Sequence, residues 1–336
     1  WCSHHSRSAA CFGDGSKRSL AMTSSTPQPK KGLSLRLIII LISLVGLNLL
    51  VSLQIAQWSF SWLPVAASTA APYVDGLFSL EVGMGAFLFN GCVGFILWSV
   101  IANRAEKYDE SDGLPIEGNT KLEIIWTVIP FIIVMALAIY SIDVNGKLDT
   151  LGARNKYDMA ANQSAKIVAS IDENSEVGPI EVISRQWNWE FIYPNGVRSS
   201  ELHLPINQRA NFLLISKDVI HSFYIPAFRL KQDIIPGSVI SYSITPTREG
   251  RYRLRDAHFS GAYFSDNQTH VIVQSEEDYS NWLQSTNEKP LVPGLSPGTV
   301  QYQKRLSKGN KGWATVPPAP PPMVNDPGNP DDPHEA

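Results

Sequence analysis

The side chains best equipped for chemistry in this 336-residue chain include His221, Asp256, His258, Asp266 and His270. Imidazole nitrogens and carboxylate oxygens are donors that a zinc ion accepts, so these five offer a nitrogen and oxygen set. No thiolate joins them. The chain has three cysteines, Cys2, Cys11 and Cys92, so neither a disulfide nor a thiolate metal site can form in the carboxy-terminal half from this chain alone. Loops between strands commonly expose Asp and His for solvation alone. The plainer expectation is therefore a hydrogen-bonded structural His221 and no metal held by this chain. A further candidate is Glu123, a carboxylate at the edge of a long apolar run. Ionisable residues at membrane depth are functional candidates by default, although a charge at a membrane interface costs little.

The elements that position these residues divide sharply along the chain. No charged residue occurs from Leu37 to Val74, from Val82 to Asn103, or from Ile124 to Ile142. Each run holds about the 20 apolar residues needed to cross a bilayer core. The expected helices are 33–58, 76–103 and 122–142, with Glu81 as a boundary residue at the outer end of the second. Lys30, Lys31 and Arg36 precede the first run, and the loop from Gln57 to Gly76 has no Lys or Arg. The amino terminus is thus expected in the cytoplasm and that loop outside. The next loop, with Arg104, Lys107 and Lys121, returns inside, which leaves the carboxy-terminal half outside. The first run also reads as a signal peptide, because the small residues Ala66-Ala-Ser-Thr-Ala-Ala71 follow it. Its length favours a retained helix. Residues 1–32 are expected to form an amino-terminal cytoplasmic, disordered segment. Because the chain begins with Trp1 and residues 1–21 lack apolar periodicity, the expected native start is Met22.

From about residue 150 to 284 the pattern changes to short β-branched and aromatic segments: 166–171, 180–184, 211–215, 239–244 and 270–274. Turns fall at Pro194-Asn-Gly196, Pro236-Gly237 and Glu249-Gly250. This predicts an antiparallel sandwich or barrel. Ser275-Glu-Glu-Asp278 predicts a capped helix. Residues 285–336, rich in proline, are expected to be disordered, since such a composition buries little apolar surface. The formal charge of −3, with no basic stripe, argues against nucleic acid as a partner.

Several segments resemble subunit II of haem-copper terminal oxidases: Gln186-Trp-Asn-Trp-Glu-Phe-Ile-Tyr-Pro194, Lys217-Asp-Val-Ile-His-Ser-Phe-Tyr-Ile-Pro226, Lys231-Gln-Asp-Ile-Ile-Pro-Gly237 and Leu122-Glu-Ile-Ile-Trp-Thr-Val-Ile-Pro130. The segments Leu63-Pro-Val-Ala-Ala67, Val74-Asp-Gly-Leu-Phe78 and Pro115-Ile-Glu-Gly-Asn119 resemble cyanobacterial members in particular. The resemblance implies a membrane-anchored protein with two to three transmembrane helices followed by an all-β, cupredoxin-like sandwich. In the branch of the family that oxidises cytochrome c, this sandwich carries a dinuclear copper centre. Its ligands are a His in an Asp-Val-x-His-Ser segment and a loop of pattern Cys-x-Glu-x-Cys-x3-His-x2-Met.

Laid on this sequence, the first ligand matches His221. The remaining positions fall on Asp256, His258, Ser260, Phe264 and Asn267, so five of the six differ. Neither Asp nor Ser offers the bridging sulfur that holds two copper ions close together. Ser260-Gly-Ala-Tyr-Phe-Ser265 resembles the loop of the quinol-oxidising branch, which has no such copper. The resemblance places Trp187, with Trp189 beside it, at the aromatic position between the copper centre and the haem subunit, where packing against subunit I is expected. It places Glu123 near the mouth of a proton path of subunit I.

The expected protein is then subunit II of a terminal oxidase that reduces oxygen to water and contributes to a proton gradient, with membrane quinol as electron donor. It has no catalytic residue and binds no cofactor of its own, the haems and active-site copper lying in subunit I. Subunits I and III and the bilayer are its partners. Its sandwich faces the periplasm or lumen from a bacterial cytoplasmic or thylakoid membrane. Two alternatives stand: a cytochrome c oxidase subunit with an altered electron route, and a membrane-anchored cupredoxin-like scaffold or assembly protein without electron transfer.

Overall fold

The computed structural model of the protein describes residues 34–102, 104, 118–151, 155–158, 177–309 and 315–329. The expected start at Met22 and the expected strand at 166–171 lie outside these. The chain divides into an amino-terminal unit ending at Leu47 and a main unit from Asn48 onward. Three long helices come first: α1 (Leu35–Ser59), α2 (Ala71–Ala102) and α3 (Thr120–Leu151). All three are long and apolar enough to cross a membrane. They present large apolar side chains such as Leu50, Phe89, Ile101 and Ile142 outward, as a helix solvated by lipid does.

Two helix ends differ from expectation. The second helix begins at Ala71, where Ser68 Oγ accepts the Ala71 N–H at 3.2 Å and Pro72 follows in the first turn, where its missing N–H costs nothing. The third continues past Ile142 to Leu151, with Asp143 and Lys147 paired at 2.7 Å one turn apart.

Beyond α3 the chain forms a sandwich of two sheets. One contains β1 (Asn155–Asp158), β9 (Ser238–Ile244), β6 (Ala210–Ser216), β2 (Val177–Arg185), β3 (Asn188–Ile192) and β4 (Arg198–Ser199), in that order. The other contains β5 (Leu202–Pro205), β11 (Gln268–Gln274), β10 (Gly250–Asp256), β7 (His221–Ile225) and β8 (Leu230–Ile234). The sheets are mixed, not wholly antiparallel: β2 pairs with β6 and β5 with β11 in parallel. Parallel neighbours need long crossovers: β2 reaches β6 by way of β3, β4 and then β5 of the other sheet, and β5 reaches β11 by way of β6 to β10. Ile180, Phe191, Phe212 and Leu214 of the first sheet meet Phe223, Tyr252, Leu254 and Val271 of the second in the core. At the end of the sandwich Ser275 caps α4 (Glu276–Asn287), its side chain accepting the Asp278 N–H at 3.1 Å.

The expectation of a disordered segment from residue 285 is corrected over the described part of it. Residues 289–309 and 315–329 run back across the sandwich as α5 (Pro297–Ser307) and a small pair of strands, β12 (Val292–Pro293) and β13 (Met323–Val324). Proline-rich chain builds no core of its own, but its carbonyls still accept hydrogen bonds. Those of Ala319 and Pro320 take the Asn188 side-chain amide at 3.4 and 3.1 Å. Asn325 exchanges bonds with the backbone of Arg198, and Trp282 Nε1 donates to Asp326 at 2.8 Å.

A buried clasp ties the α1–α2 connection to the sandwich. Arg229, in a left-handed conformation at φ 55°, donates through Nε and Nη2 to the two carboxylate oxygens of Asp75 at 2.6 and 3.0 Å. The same Nη2 reaches the Pro64 carbonyl at 2.6 Å. Breaking a buried, bidentate pair by removing one partner costs about 3–5 kcal/mol, because the other charge is stranded. Arg229→Met is therefore expected to lower the unfolding temperature of the detergent-solubilised chain by several degrees, with partial recovery on adding Asp75→Leu, read in a thermal melt.

Candidate functional site

The site grows out of strand register. In β10 alternate residues Tyr252, Leu254 and Asp256 are buried while Arg253 and Arg255 are exposed, the period-two pattern of a pleated strand. In β7, His221, Phe223 and Ile225 are buried. The two strands pair with Asp256 opposite Phe223, so Asp256 and His221 enter the same end of the sandwich.

There the Asp256 carboxylate, with no exposed side-chain surface, is the hub of a network. Its Oδ2 lies 2.6 Å from His221 Nδ1, and accepts from Ser260 Oγ at 2.8 Å and Asn267 Nδ2 at 3.3 Å. Its Oδ1 accepts the backbone N–H groups of Ser222 at 2.8 Å and His258 at 3.1 Å. On the other side of the imidazole, His221 Nε2 meets Asp218 Oδ1 at 2.7 Å. Asp218 is itself held by the N–H groups of Gln186 and Val219, both at 2.7 Å.

Burial opposes a charge on all three groups, but the hydrogen bonds outweigh it. Against that burial, the bonds from Asp218 and Asp256 raise the pKa of His221 above its ordinary 6.5. The bond from His221, helped by backbone N–H groups, lowers those of Asp218 and Asp256 below 3.8. The arrangement is an imidazolium donating from both nitrogens to two carboxylates.

Of the six positions laid against the copper loop, four meet by their side chains: His221, Asp256, Ser260 and Asn267. His258 joins through its backbone. Phe264 stands apart, packed edge-on against exposed Phe259 at 5.3 Å. Of the five nitrogen and oxygen candidates, His221 and Asp256 are the two whose side chains meet in this network. His270 bonds Glu201 at 2.7 Å on β11, where Arg251 also reaches Glu201, and Asp266 lies in the short turn after Phe264, its pKa raised by burial. Among the described residues no group of three or more His, Cys, Asp or Glu side chains is placed to hold a metal.

The two tryptophans expected at an interface with another subunit are instead enclosed by their own chain. Trp187 has no exposed surface. It lies edge-on to Tyr263 at 5.1 Å and donates to the Ser260 carbonyl at 3.2 Å. A side chain on Gly298 of α5 would come within 2.9 Å of Trp187 Cβ, so the carboxy-terminal segment seals this face. Trp189 is a core residue, its Nε1 bonded to the Asn267 carbonyl at 3.2 Å and its ring edge-on to His221 at 6.4 Å. Glu123 lies elsewhere, exposed in the first turn of α3, where the helix dipole favours an anion. Sequence reasoning missed Asp218 and Gln186, whose side-chain amide holds the Ser260 carbonyl at 2.6 Å. Both lie inside the quoted motifs.

A family model described as cytochrome c oxidase subunit II, transmembrane domain, matches residues 53–144, and one for the periplasmic domain matches residues 197–275. The chain belongs to the haem-copper oxidase subunit II family. Cytochrome c oxidase subunit 2 of Thermostichus vulcanus is 35% identical over 268 residues, 69% of this chain and 82% of that one. The protein of the same description from Synechocystis sp. is 34% identical over 254 residues, 68% of this chain and 76% of that one. Quinol oxidase subunit 2 of Bacillus subtilis is 28% identical over 218 residues, 63% of each. This subunit II is thus a membrane-anchored, cupredoxin-like component of a terminal oxidase, an oxidoreductase complex.

The ionisation of the network sets a pH dependence. The imidazolium contribution is complete below pH 6.5 and is lost as pH rises through the raised value of His221. The carboxylate contributions are complete above pH 3.8 and are lost as pH falls through their lowered values. The unfolding temperature of His221→Phe should therefore fall furthest below that of the wild type between pH 3.8 and 6.5, with the gap narrowing above; a gap that widens with pH would contradict the charge assignment.

Proposed function

We propose that this subunit II carries no dinuclear copper and serves an oxidase whose electrons come from membrane quinol. The observation that carries the reading is the Asp256 network. Copper held in pairs requires soft thiolates, and the five substituted positions offer the Asp256 carboxylate, the His258 imidazole, the Ser260 hydroxyl, the Phe264 ring and the Asn267 amide, with hydroxyl and amide already bonded to the carboxylate. The one retained imidazole has both nitrogens engaged by carboxylates, so neither lone pair is free for a metal. The donor set does not fit the copper pair.

In this reading the haems and active-site copper belong to subunit I, and the chain supplies anchoring and docking for subunits I and III. Its sandwich faces the periplasm or lumen. A soluble cytochrome finds no metal acceptor on it, whereas a quinol reaches the membrane subunit through the bilayer. A second reading, a cytochrome c oxidase with another electron route, is favoured by the 34–35% identity to the Synechocystis and Thermostichus proteins described as cytochrome c oxidase, against 28–30% to the quinol oxidase relatives.

Oxygen uptake by the purified oxidase decides between them. The proposal expects rapid uptake with a short-chain quinol and none above background with reduced soluble cytochrome c; the reverse pattern would refute it. Glu123, exposed at the start of α3, is proposed to feed protons to subunit I. Glu123→Ala is expected to slow both turnover and proton uptake of the assembled enzyme by roughly a hundredfold, the low end for a lost proton-transfer group; unaltered rates would remove it from the path.

A further inference from the structure

We infer that α1 is a permanent helix of the mature protein, and that residues 63–71 form a structural junction and not a site at which a leader is removed. Two independent sets of contacts, one within the apolar span and one outside it, carry the inference.

Within the span, α1 and α2 are matched by polar groups. Asn48 Nδ2 donates to the Phe87 carbonyl at 3.0 Å, and Ser79 Oγ to the Ala56 carbonyl at 2.8 Å. Gly83 lets the helices close together, since a Cβ there would stand 2.9 Å from Ala56 Cβ. Interhelical hydrogen bonds and small residues at the contact are the means by which membrane helices associate where no hydrophobic force separates helix from lipid. An asparagine is costly in hydrocarbon without a partner. A leader that is cut away has no use for one matched to its neighbour. The helix is also 25 residues long, whereas the apolar region of a leader is about 7–15.

Outside the span, the small-residue stretch that resembles a cleavage site is built into the sandwich. Ala67 N donates to the Ala227 carbonyl and the Ala67 carbonyl accepts from Thr247 N, both at 2.9 Å, while Thr69 N donates to Thr245 at 3.1 Å. Ser68 Oγ donates to the Phe228 carbonyl at 2.8 Å, and Arg229 holds Pro64. Ala67 and Ala71 have no exposed surface. A cut after Ala66 would put a new ammonium group at the buried Ala67 nitrogen. A cut after Ala71 would strip the partners from Ala227, Phe228, Thr245 and Thr247. Either leaves buried polar groups uncompensated.

The test is peptide mapping of the oxidase isolated from its own membrane. A peptide continuous through residues 63–75 is expected, and a mature amino terminus anywhere from Ala66 to Pro72 would overturn the inference. A second measurement checks the seam itself. Gly83→Leu puts a side chain where a Cβ would already stand 2.9 Å from Ala56 Cβ, and is expected to lower the unfolding temperature of the detergent-solubilised chain by several degrees, whereas Gly85→Leu, at a position with nothing within 4 Å of the added Cβ, is expected to leave it nearly unchanged. Equal melting of the two variants would contradict the packing of α1 on α2.

Discussion

A carboxylate shut away from water must be matched by donors or give up its charge, and Asp256 is matched by five. Two are backbone N–H groups, from Ser222 and His258, and three are the side chains of His221, Ser260 and Asn267. A charge-assisted hydrogen bond is roughly twice as strong as a neutral one, and an unpaired buried charge is far more costly than either. The strand end at Asp256, the start of β7 and the loop through Asn267 are therefore held in one arrangement. The loop keeps its path because a hydrogen-bonded anion sits at its centre.

The same constraint organises the surroundings. His221, protonated between Asp256 and Asp218, extends the network to the turn that carries Gln186, and the Ser260 carbonyl accepts from both Gln186 and Trp187. Trp187 is then fixed under Tyr263, and α5 closes over it through Gly298 and through Tyr302, whose ring stands at 90° to that of Tyr263. What the family resemblance marks as a place for electrons to enter is, in this chain, a packed polar and aromatic plug covered by its own carboxy-terminal segment. Both tryptophans are core residues of the sandwich.

Much of this could be read in the sequence, for definite reasons. Charge-free runs locate the three membrane helices because lipid tolerates few charges, but their ends escaped, since Asp143 and Lys147 extend α3 by pairing one turn apart. The segments around Ile180, Phe212, Val239 and Val271 declared themselves as strands by local pattern, and Gly196 and Gly237 mark turns where φ is positive. Parallel pairing of β2 with β6 was not legible, because a strand does not encode its partner locally. The segment from residue 285 was misread because composition measures whether a chain can build its own core, not whether Asn325, Asp326 and their neighbours can be gripped by another. Motif alignment found His221 as the one retained position and Asp256, Ser260 and Asn267 as losses; that they bond to each other depends on the register between β7 and β10.

The most direct measurement is the metal content of the intact subunit II, resolved from subunit I after purification from its membrane, together with its absorption in the region where thiolate-to-copper charge transfer falls. The account predicts copper at background level and no such band; two copper ions per chain would contradict it.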